Sequence, residues 1–158
     1  MRVQFLLNIL LAVVWVFLTG TINGTNFTFG FILSYLVLWL ISSNEGKRKY
    51  FVIAPRIISF TFYFLYELIK ANLQVAAHVI TPKFYMEPGI IKYPLDAESD
   101  LEITLLANII TLTPGTLSLD ISDDRKVLYI HAMYVNDKEE FINSIKNGFE
   151  KRILKILR

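Results

Sequence analysis

The feature that most constrains this chain is a run of 42 residues, from Val3 to Asn44, without one charged side chain. One bilayer crossing needs about 20 residues, because a helix rises about 1.5 Å per residue and the hydrocarbon core is about 30 Å thick. The run is too long for one span and suits two. Two glycines and several Thr and Asn residues between Thr19 and Asn26 mark the break. We predict spans at about 3–19 and 27–42.

Positive charges predict the orientation of this hairpin, which occupies residues 1–50. Arg2 precedes the first span, Lys47–Lys49 follow the second, and the loop between the spans has no charge. The positive-inside rule then places both ends of the hairpin in the cytoplasm of a multi-pass membrane protein. The alternative for the first span is a cleaved signal peptide. It is disfavoured, because the segment has one basic residue and no Ala-x-Ala-like site after its apolar run.

Small and polar side chains recur at four-residue spacing in the second span, at Asn26, Gly30 and Ser34. In a membrane such a stripe lets another helix approach closely. The first span has Asn8 and Ala12 at the same spacing, so the two spans can pack on each other, or the stripe can dock onto a larger membrane protein. Spacing alone leaves both interpretations open. Neither span holds the ionisable groups that an ion or proton path needs, so the chain by itself is a poor candidate for a transporter.

Residues 51–82 are predicted to form one long amphipathic helix, with Pro55 in its first turn. Steps of three and four residues connect a polar stripe, and the remaining surface is apolar and aromatic. The stripe consists of Arg56, Ser59, Tyr63, Glu67, Lys70, Gln74 and His78. Only ten uncharged residues separate Arg56 from Glu67, which favours a helix lying in the cytoplasmic interface with its stripe toward water. The alternative is a third span that turns the stripe toward a partner.

Three members of the stripe, Glu67, Lys70 and His78, invite a closer interpretation. Glu67 and Lys70 stand three residues apart, so they can form an ion pair along the helix. His78 is expected to be an ordinary stripe residue rather than a metal ligand, because no second His, Cys or carboxylate lies one turn away.

Residues 83–158 are predicted to form a small cytoplasmic α+β domain. Ile90–Tyr93 is extended, Leu101–Leu112 is a helix that ends at Pro114 and Gly115, and a β-hairpin follows. The β-branched residues of Leu101–Leu112 leave a strand as the alternative for that segment. The last helix is predicted to begin after an N-cap at Asn136. Its buried stripe consists of Phe141, Ile145, Phe149 and Ile153. The fold class is therefore a membrane protein of the α+β type, with a transmembrane hairpin, an amphipathic helix and a domain of one β-hairpin and two helices.

The alternation in the hairpin predicts both its apolar face and its register. Leu117, Leu119 and Ile121 on one strand and Leu128, Ile130 and Ala132 on the other are expected to face the core. With a turn at 122–125, Leu119 would lie opposite Leu128, and His131 opposite Thr116.

No residue pattern supports an enzyme or a cofactor site. Asp120, Asp123 and Asp124 have no EF-hand spacing and are typical of a turn. His131 is expected to be a half-exposed strand residue, because a catalytic triad needs mutually bonded members. The sequence has no cysteine and no P-loop, GxGxxG, HExxH or GxSxG motif. Residues 81–158 hold ten basic and twelve acidic side chains, which does not favour binding to nucleic acid.

Several segments together resemble a known family. Leu105–Leu119, which contains Thr113, Pro114, Gly115 and Thr116, is similar to the signature of the E subunit of the multi-subunit Mrp (also Mnh or Sha) sodium/proton antiporter. The segments at 70–76, 86–90, 120–124 and 128–133 are similar as well. The order of segments and the size match over nearly the whole chain.

The resemblance implies an accessory subunit in a complex of about seven different subunits in the bacterial plasma membrane. Such a complex exchanges sodium for protons, and its large subunits are thought to carry the ion path. The expected partners are therefore the other antiporter subunits and the lipid bilayer, without a cofactor. The Thr113–Thr116 motif carries over as a family signature and a candidate subunit contact. The alternative is a membrane-anchored ligand-binding or regulatory module that works alone, and a tethered hydrolase comes third.

Overall fold

A computed structural model describes residues 2–42, 45–81, 87–135 and 137–158, with only the main chain at 2 and 45–49. The first three helices are α1 (Arg2–Thr19), α2 (Gly24–Ile41) and α3 (Glu45–Ile80). By length and composition, two helices in these ranges could cross a membrane, Gly24–Ile41 and Tyr50–Ile80, whereas the apolar Val3–Thr19 is shorter. The C-terminal part contains β1 (Gly89–Pro94), α4 (Asp100–Leu112), β2 (Thr116–Ile121), β3 (Val127–Ala132), α5 (Lys138–Ile145), a π-helical turn (Lys146–Glu150) and α6 (Lys151–Leu157).

The helices α1 and α2 pack on each other through the small and polar positions seen in the sequence. Gly30 and Ser34 of α2 are buried, as are Asn8 and Ala12 of α1. A Cβ atom at Gly30 would lie 2.7 Å from Cδ1 of Trp15, so only glycine leaves room for this ring. The structure thus uses the stripe inside the hairpin, which is one of the two interpretations that the spacing left open.

Asn26 connects the C-terminal end of α1 to the first turn of α2. The helix α2 begins at Gly24, three residues before the predicted start, with Asn23 as its N-cap. Asn26 therefore lies in the first turn of α2. Its side-chain oxygen accepts a hydrogen bond from Trp15 Nε1 at 3.0 Å, and its amide nitrogen donates to Thr19 Oγ1 at 2.6 Å. These bonds satisfy polar groups at a turn between two apolar helices.

The prediction that Pro55 starts the third helix is wrong. The helix α3 begins at Glu45, and Pro55 lies inside it. Proline lacks the N–H that would bond the carbonyl four residues earlier, which belongs to Phe51. Tyr35 supplies a substitute, since its hydroxyl donates to the Phe51 carbonyl at 3.2 Å. The proline is thus tolerated in the helix because a neighbouring helix satisfies the released carbonyl.

The chain forms two compact units, Met1–Pro55 and Arg56–Arg158. This division differs from the predicted segments 1–50, 51–82 and 83–158, because the part of α3 beyond Pro55 packs with the C-terminal domain. Phe60, Tyr63 and Phe64 lie against the buried core of that domain. The predicted boundary at 82–83 lies outside the described residues.

A three-stranded antiparallel sheet forms the centre of the second unit. Its order is β1–β3–β2, so the extended segment predicted at Ile90–Tyr93 joins the hairpin as an edge strand. One face of the sheet is buried against the helices. The fully buried core contains Tyr93, Leu106, Ile110, Leu128, Ile130, Ile145, Phe149 and Ile153.

The predicted register of the hairpin is wrong by one residue. Thr116 pairs with Ala132 and Leu117 with His131, and the register shifts again at a bulge between Ser118 and Asp120. Leu117 and Leu119 therefore face outward and are 44% and 48% exposed. Thr116 and Ser118 face α4 instead, because their hydroxyls donate to the main-chain carbonyls of Ile110 and Ala107 at 2.6 Å and 3.0 Å.

The last helix follows its predicted burial stripe but is interrupted. Ile145, Phe149 and Ile153 are buried, and the π-helical turn lies between α5 and α6. Steps of four residues advance about 40° too far in an α-helix, and the wider π turn corrects this drift. The N-cap of α5 is Asp137, whose carboxylate accepts from the N–H groups of Glu139 and Glu140. The predicted cap, Asn136, lies outside the described residues.

Candidate functional site

The polar stripe of α3 runs along the side of the helix that contacts this chain's own C-terminal domain, and four of its residues remain exposed: Arg56, Ser59, Lys70 and Gln74. Arg56 Nη1 donates to the carbonyl of Lys155 at 2.6 Å. Tyr63 packs edge-on against Phe149, with ring centroids 5.5 Å apart, and His78 stacks on Tyr134 at 4.7 Å. These contacts span six turns of α3, so the helix is a wall of the domain.

The Thr113–Thr116 motif caps the end of α4. Thr113 Oγ1 donates to the Ile109 carbonyl at 3.0 Å, and Thr116 Oγ1 donates to the Ile110 carbonyl at 2.6 Å. Gly115 has φ +88°, a left-handed conformation that favours glycine. The motif thus satisfies helix carbonyls and starts β2 in a few residues, which gives each of its polar residues a structural role.

A pocket of about 220 Å³ brings the stripe and the motif together. Glu67, Lys70 and Gln74 of α3 form one side, Thr113–Thr116 the opposite side, and Tyr134 lines it as well. Glu67 and Lys70 form the expected ion pair, at 3.7 Å. Of the stripe residues, Glu67, Lys70 and Gln74 line this pocket directly. His78 does not line it but stacks on Tyr134, which does, and Arg56 lies outside the pocket.

Glu150, which the sequence analysis did not single out, has a fully buried side chain. Its Oε2 accepts from the Tyr93 hydroxyl at 2.6 Å, and its Oε1 accepts from the N–H groups of Asp96 and Ala97 at 2.7 Å and 3.0 Å. Burial, and then the bond to Glu150, raise the pKa of the Tyr93 hydroxyl, which therefore stays protonated as a donor. The carboxylate fastens the segment between β1 and α4 to the π-helical turn.

A second buried carboxylate, Glu102, connects the start of α4 to the end of the chain. It forms a capping box with Ser99, and Arg158 donates to both of its oxygens, at 3.0 Å and 3.1 Å. The bonds from Arg158, followed by the N–H of Glu98, lower the pKa of Glu102 to about 2.

We expect the Glu102 network to make folding stability depend on pH in the acid range. The pKa of Glu102 falls on folding from 4.5 to about 2, so its contribution is complete above pH 4.5 and is lost as the pH falls toward 2. Glu102→Gln should cost about 1–2 kcal/mol at neutral pH, since Arg158 is half exposed and screened. Thermal unfolding of the full chain in detergent at several pH values measures both effects.

Glu98→Gln is the matched control. Glu98 also faces Arg158, but at the longer distance of 3.9 Å, and its side chain is 86% exposed, so its ion pair is weak. It should change the unfolding temperature little at any pH. Equal losses in the two variants would contradict the assignment of the stability to Glu102.

The remaining candidates from the sequence have local roles. Asp124 accepts from the Ser122 hydroxyl at 2.6 Å, which is the first cause that lowers its pKa, and from the Lys126 N–H at 3.2 Å. Asp120 accepts from the N–H of Ile121. His131 lies opposite Leu117 rather than Thr116. In the described ranges, no group of three His, Asp or Glu side chains could hold a metal ion.

Three groups of contacts were missed by the sequence analysis. Tyr134 belongs to no periodic pattern, so nothing marked it as a wall of the pocket. Glu150 lies directly after Phe149 of the buried stripe, and the uniform steps of four were the available signal for the turn that buries it. Lys151, Arg152 and Lys155 line a cleft with Arg56, and no spacing in the sequence connects these residues of the last helix with a residue of α3.

The apolar hairpin, the long amphipathic helix and the small α+β domain define this chain as a membrane-associated protein. The family profile of MNHE, described as Na+/H+ ion antiporter subunit, matches residues 8–156. The chain belongs to this antiporter subunit family.

Relatives agree over the full length. The chain is 42% identical to Na(+)/H(+) antiporter subunit E1 of Staphylococcus haemolyticus and 40% identical to that of Staphylococcus saprophyticus, in each case over 99% of this chain and 98% of the relative. Among solved structures, a chain of the Mrp complex from Dietzia sp. is 29% identical, with a TM-score of 0.50 over 65% of this chain and 96% of that chain. A chain of the archaeal membrane-bound sulfane sulfur reductase is also 29% identical, with a TM-score of 0.55 over 95% and 96%.

Proposed function

We propose that this chain is an accessory subunit of a hetero-oligomeric monovalent cation/proton antiporter in the bacterial plasma membrane. It supports assembly and full activity of the complex, and other subunits form the ion path. The uncharged run from Val3 to Asn44 supports the proposal most directly, because an ion path through a bilayer needs ionisable groups. The partners are the other antiporter subunits, as the Mrp-type complex among the similar structures indicates.

Deletion of the chain tests the accessory role. We expect everted membrane vesicles from a deletion strain to lose sodium-dependent proton exchange and to retain fewer of the other subunits in one complex. Glu67→Gln with Lys70→Gln in the complementing chain separates assembly from ion transport, because it removes the ion pair of α3. This variant should restore exchange. Normal exchange without the chain, or an assembled but inactive complex with the double variant, would contradict the proposal.

The proposed topology has both ends of the hairpin and the domain in the cytoplasm. α3 then lies in the cytoplasmic interface, and its contacts with the domain support this placement, since a domain rich in charged side chains does not enter hydrocarbon. The outward face of α3 is apolar and suits contact with lipid or with another subunit. Phe62, Tyr66, Ile69 and Leu73 on this face are each at least 60% exposed.

Single cysteines test this topology, because the native sequence has none. Ile22 lies in the loop between α1 and α2 and is 81% exposed, and Asp123 lies in the exposed turn between β2 and β3. An impermeant maleimide should label Ile22→Cys in intact cells and Asp123→Cys only after permeabilisation. Labelling of Asp123→Cys in intact cells would place the domain outside and α3 across the membrane.

The Thr113–Thr116 turn is proposed as part of a subunit contact, together with the strand that it begins. Leu112, Leu117 and Leu119 flank the motif and are exposed, which is unusual for three leucines so close together. In the complementation experiment, Leu117→Ser with Leu119→Ser should reduce recovery of the complex while the chain itself remains folded. Unchanged recovery would remove this surface from the contact.

The alternative of an independent ligand-binding module gains little support. The pocket beside the motif has a volume of about 220 Å³, below the lower limit of about 300 Å³ for typical small-molecule sites. Several of its polar groups are already paired, as in the Glu67–Lys70 ion pair and the bonds of Thr113 and Thr116.

A further inference from the structure

A basic cleft between α3 and the C-terminal helix has no role in the proposed function. Its volume is about 400 Å³. Arg56 and Ser59 of α3 line one side, and Asn147, Lys151, Arg152 and Lys155 line the other. Four of these six side chains are cationic and none is acidic. A cleft of this size and charge suits a phosphate-bearing anion.

Both guanidinium groups of the cleft are held in place by uncharged partners. Arg56 donates to the main-chain carbonyl of Lys155 at 2.6 Å. The guanidinium carbon of Arg152 lies 4.2 Å from the centroid of the Tyr63 ring, and its Nε is buried without a hydrogen-bond partner in the described structure. These contacts fix the two groups but leave their charges unneutralised, so little conformational entropy is lost when an anion binds.

Two carboxylates on neighbouring segments, Glu150 and Asp96, are engaged elsewhere. Glu150 accepts from Tyr93, Asp96 and Ala97, and Asp96 pairs with Lys146 at 2.9 Å. Within the described ranges, no ion pair links a carboxylate to any of the four cations that line the cleft. Among the residues that the structure describes, the cleft thus concentrates positive charge that no ion pair balances.

The position of the cleft identifies the source of the anion. This inference rests on the proposed topology, in which α3 lies in the membrane interface. Ile57 follows Arg56, about 100° further around the helix, and its side chain is 47% exposed. An occupant that carries a phosphate and an apolar part can therefore use both the cleft and the adjacent helix surface. We propose that this cleft binds the phosphate headgroup of an anionic phospholipid from the surrounding bilayer.

Lipid titration of the full chain in a nonionic detergent tests this site. We expect phosphatidylglycerol to raise the unfolding temperature, and phosphatidylcholine and inorganic phosphate at the same concentrations to leave it nearly unchanged. Lys151→Gln with Lys155→Gln removes two exposed charges. It should raise the phosphatidylglycerol concentration needed for half of the effect about tenfold or more, since each basic residue contributes about 1 kcal/mol to binding at an anionic lipid surface.

Lys92→Gln with Lys138→Gln is the matched control, because it removes the same charge at exposed positions outside the cleft. It should respond to phosphatidylglycerol like the native chain. Arg56→Gln, which changes a cleft residue on another helix, should weaken the response as well. An equal response in the cleft and control variants would overturn the proposal, and an equal rise with inorganic phosphate would assign the cleft to a soluble anion instead of a lipid.

Discussion

Glu150→Ala is expected to destabilise the C-terminal domain by about 3 kcal/mol or more. The carboxylate is fully buried and accepts three hydrogen bonds, from the Tyr93 hydroxyl and from the N–H groups of Asp96 and Ala97. Alanine leaves all three donors unpaired in the interior, and each such loss costs about 1–3 kcal/mol before relaxation. Chemical denaturation of the full chain in detergent, followed by the circular dichroism of the domain, measures the change.

Glu150→Gln separates charge from hydrogen bonding at this position. The amide oxygen can replace Oε1 and accept from the two N–H groups, and the amide nitrogen can donate to the Tyr93 oxygen. We therefore expect a loss of only about 1 kcal/mol. Glu139→Ala, at an exposed position in α5, is the control and should change stability by a few tenths of a kcal/mol. If Glu150→Ala lowers the free energy of unfolding no more than Glu139→Ala, the buried hydrogen bonds of Glu150 do not contribute to stability.

Gly30→Ala is expected to disrupt the packing of α1 on α2. The added Cβ would lie 2.7–3.0 Å from three atoms of Trp15. This ring has little freedom to move, because its Nε1 donates to Asn26 at 3.0 Å and it packs on Phe29 with centroids 5.6 Å apart. Overpacking of this kind costs about 1–3 kcal/mol. Titration with a denaturing detergent, followed by tryptophan fluorescence, should show unfolding at a lower detergent concentration. Purification should also recover less of the assembled complex.

Gly24→Ala is the matched control, because nothing lies within 4 Å of a Cβ built at Gly24. The same substitution in a helix without steric conflict is neutral or stabilising by up to about 1 kcal/mol. Gly30→Ala should therefore lower stability, whereas Gly24→Ala should leave it unchanged or raise it. A native-like transition for Gly30→Ala would mean that Trp15 moves aside without cost.

Features set by periodicity and composition could be predicted, and the structure bears them out in outline. The helices α1, α2, α4 and the last helix, and the hairpin, lie where apolar periods and breakers placed them. Boundaries that depend on a distant partner were missed. α3 continues through Pro55, where the Tyr35 hydroxyl satisfies the carbonyl that the proline leaves free, and no local pattern around the proline contains that information.

The face of β2 shows the same limit. Alternation predicted that Leu117 and Leu119 are buried, but the hydroxyls of Thr116 and Ser118 reach the carbonyls of α4 and turn the strand over. Alternation alone cannot predict this face, because the bonds to α4 and the bulge between Ser118 and Asp120 depend on residues outside the strand.

The sequence by itself determined the uncharged hairpin, the amphipathic helix and the family signature, because hydropathy, charge and helical period are properties of neighbouring residues. Only the tertiary structure decided which side of α3 faces the domain, where Glu150 is buried, and that Arg56 joins Lys151, Arg152 and Lys155 in one cleft. These residues lie far apart in the chain. Their juxtaposition depends on how helices pack, and a one-dimensional pattern does not encode that packing.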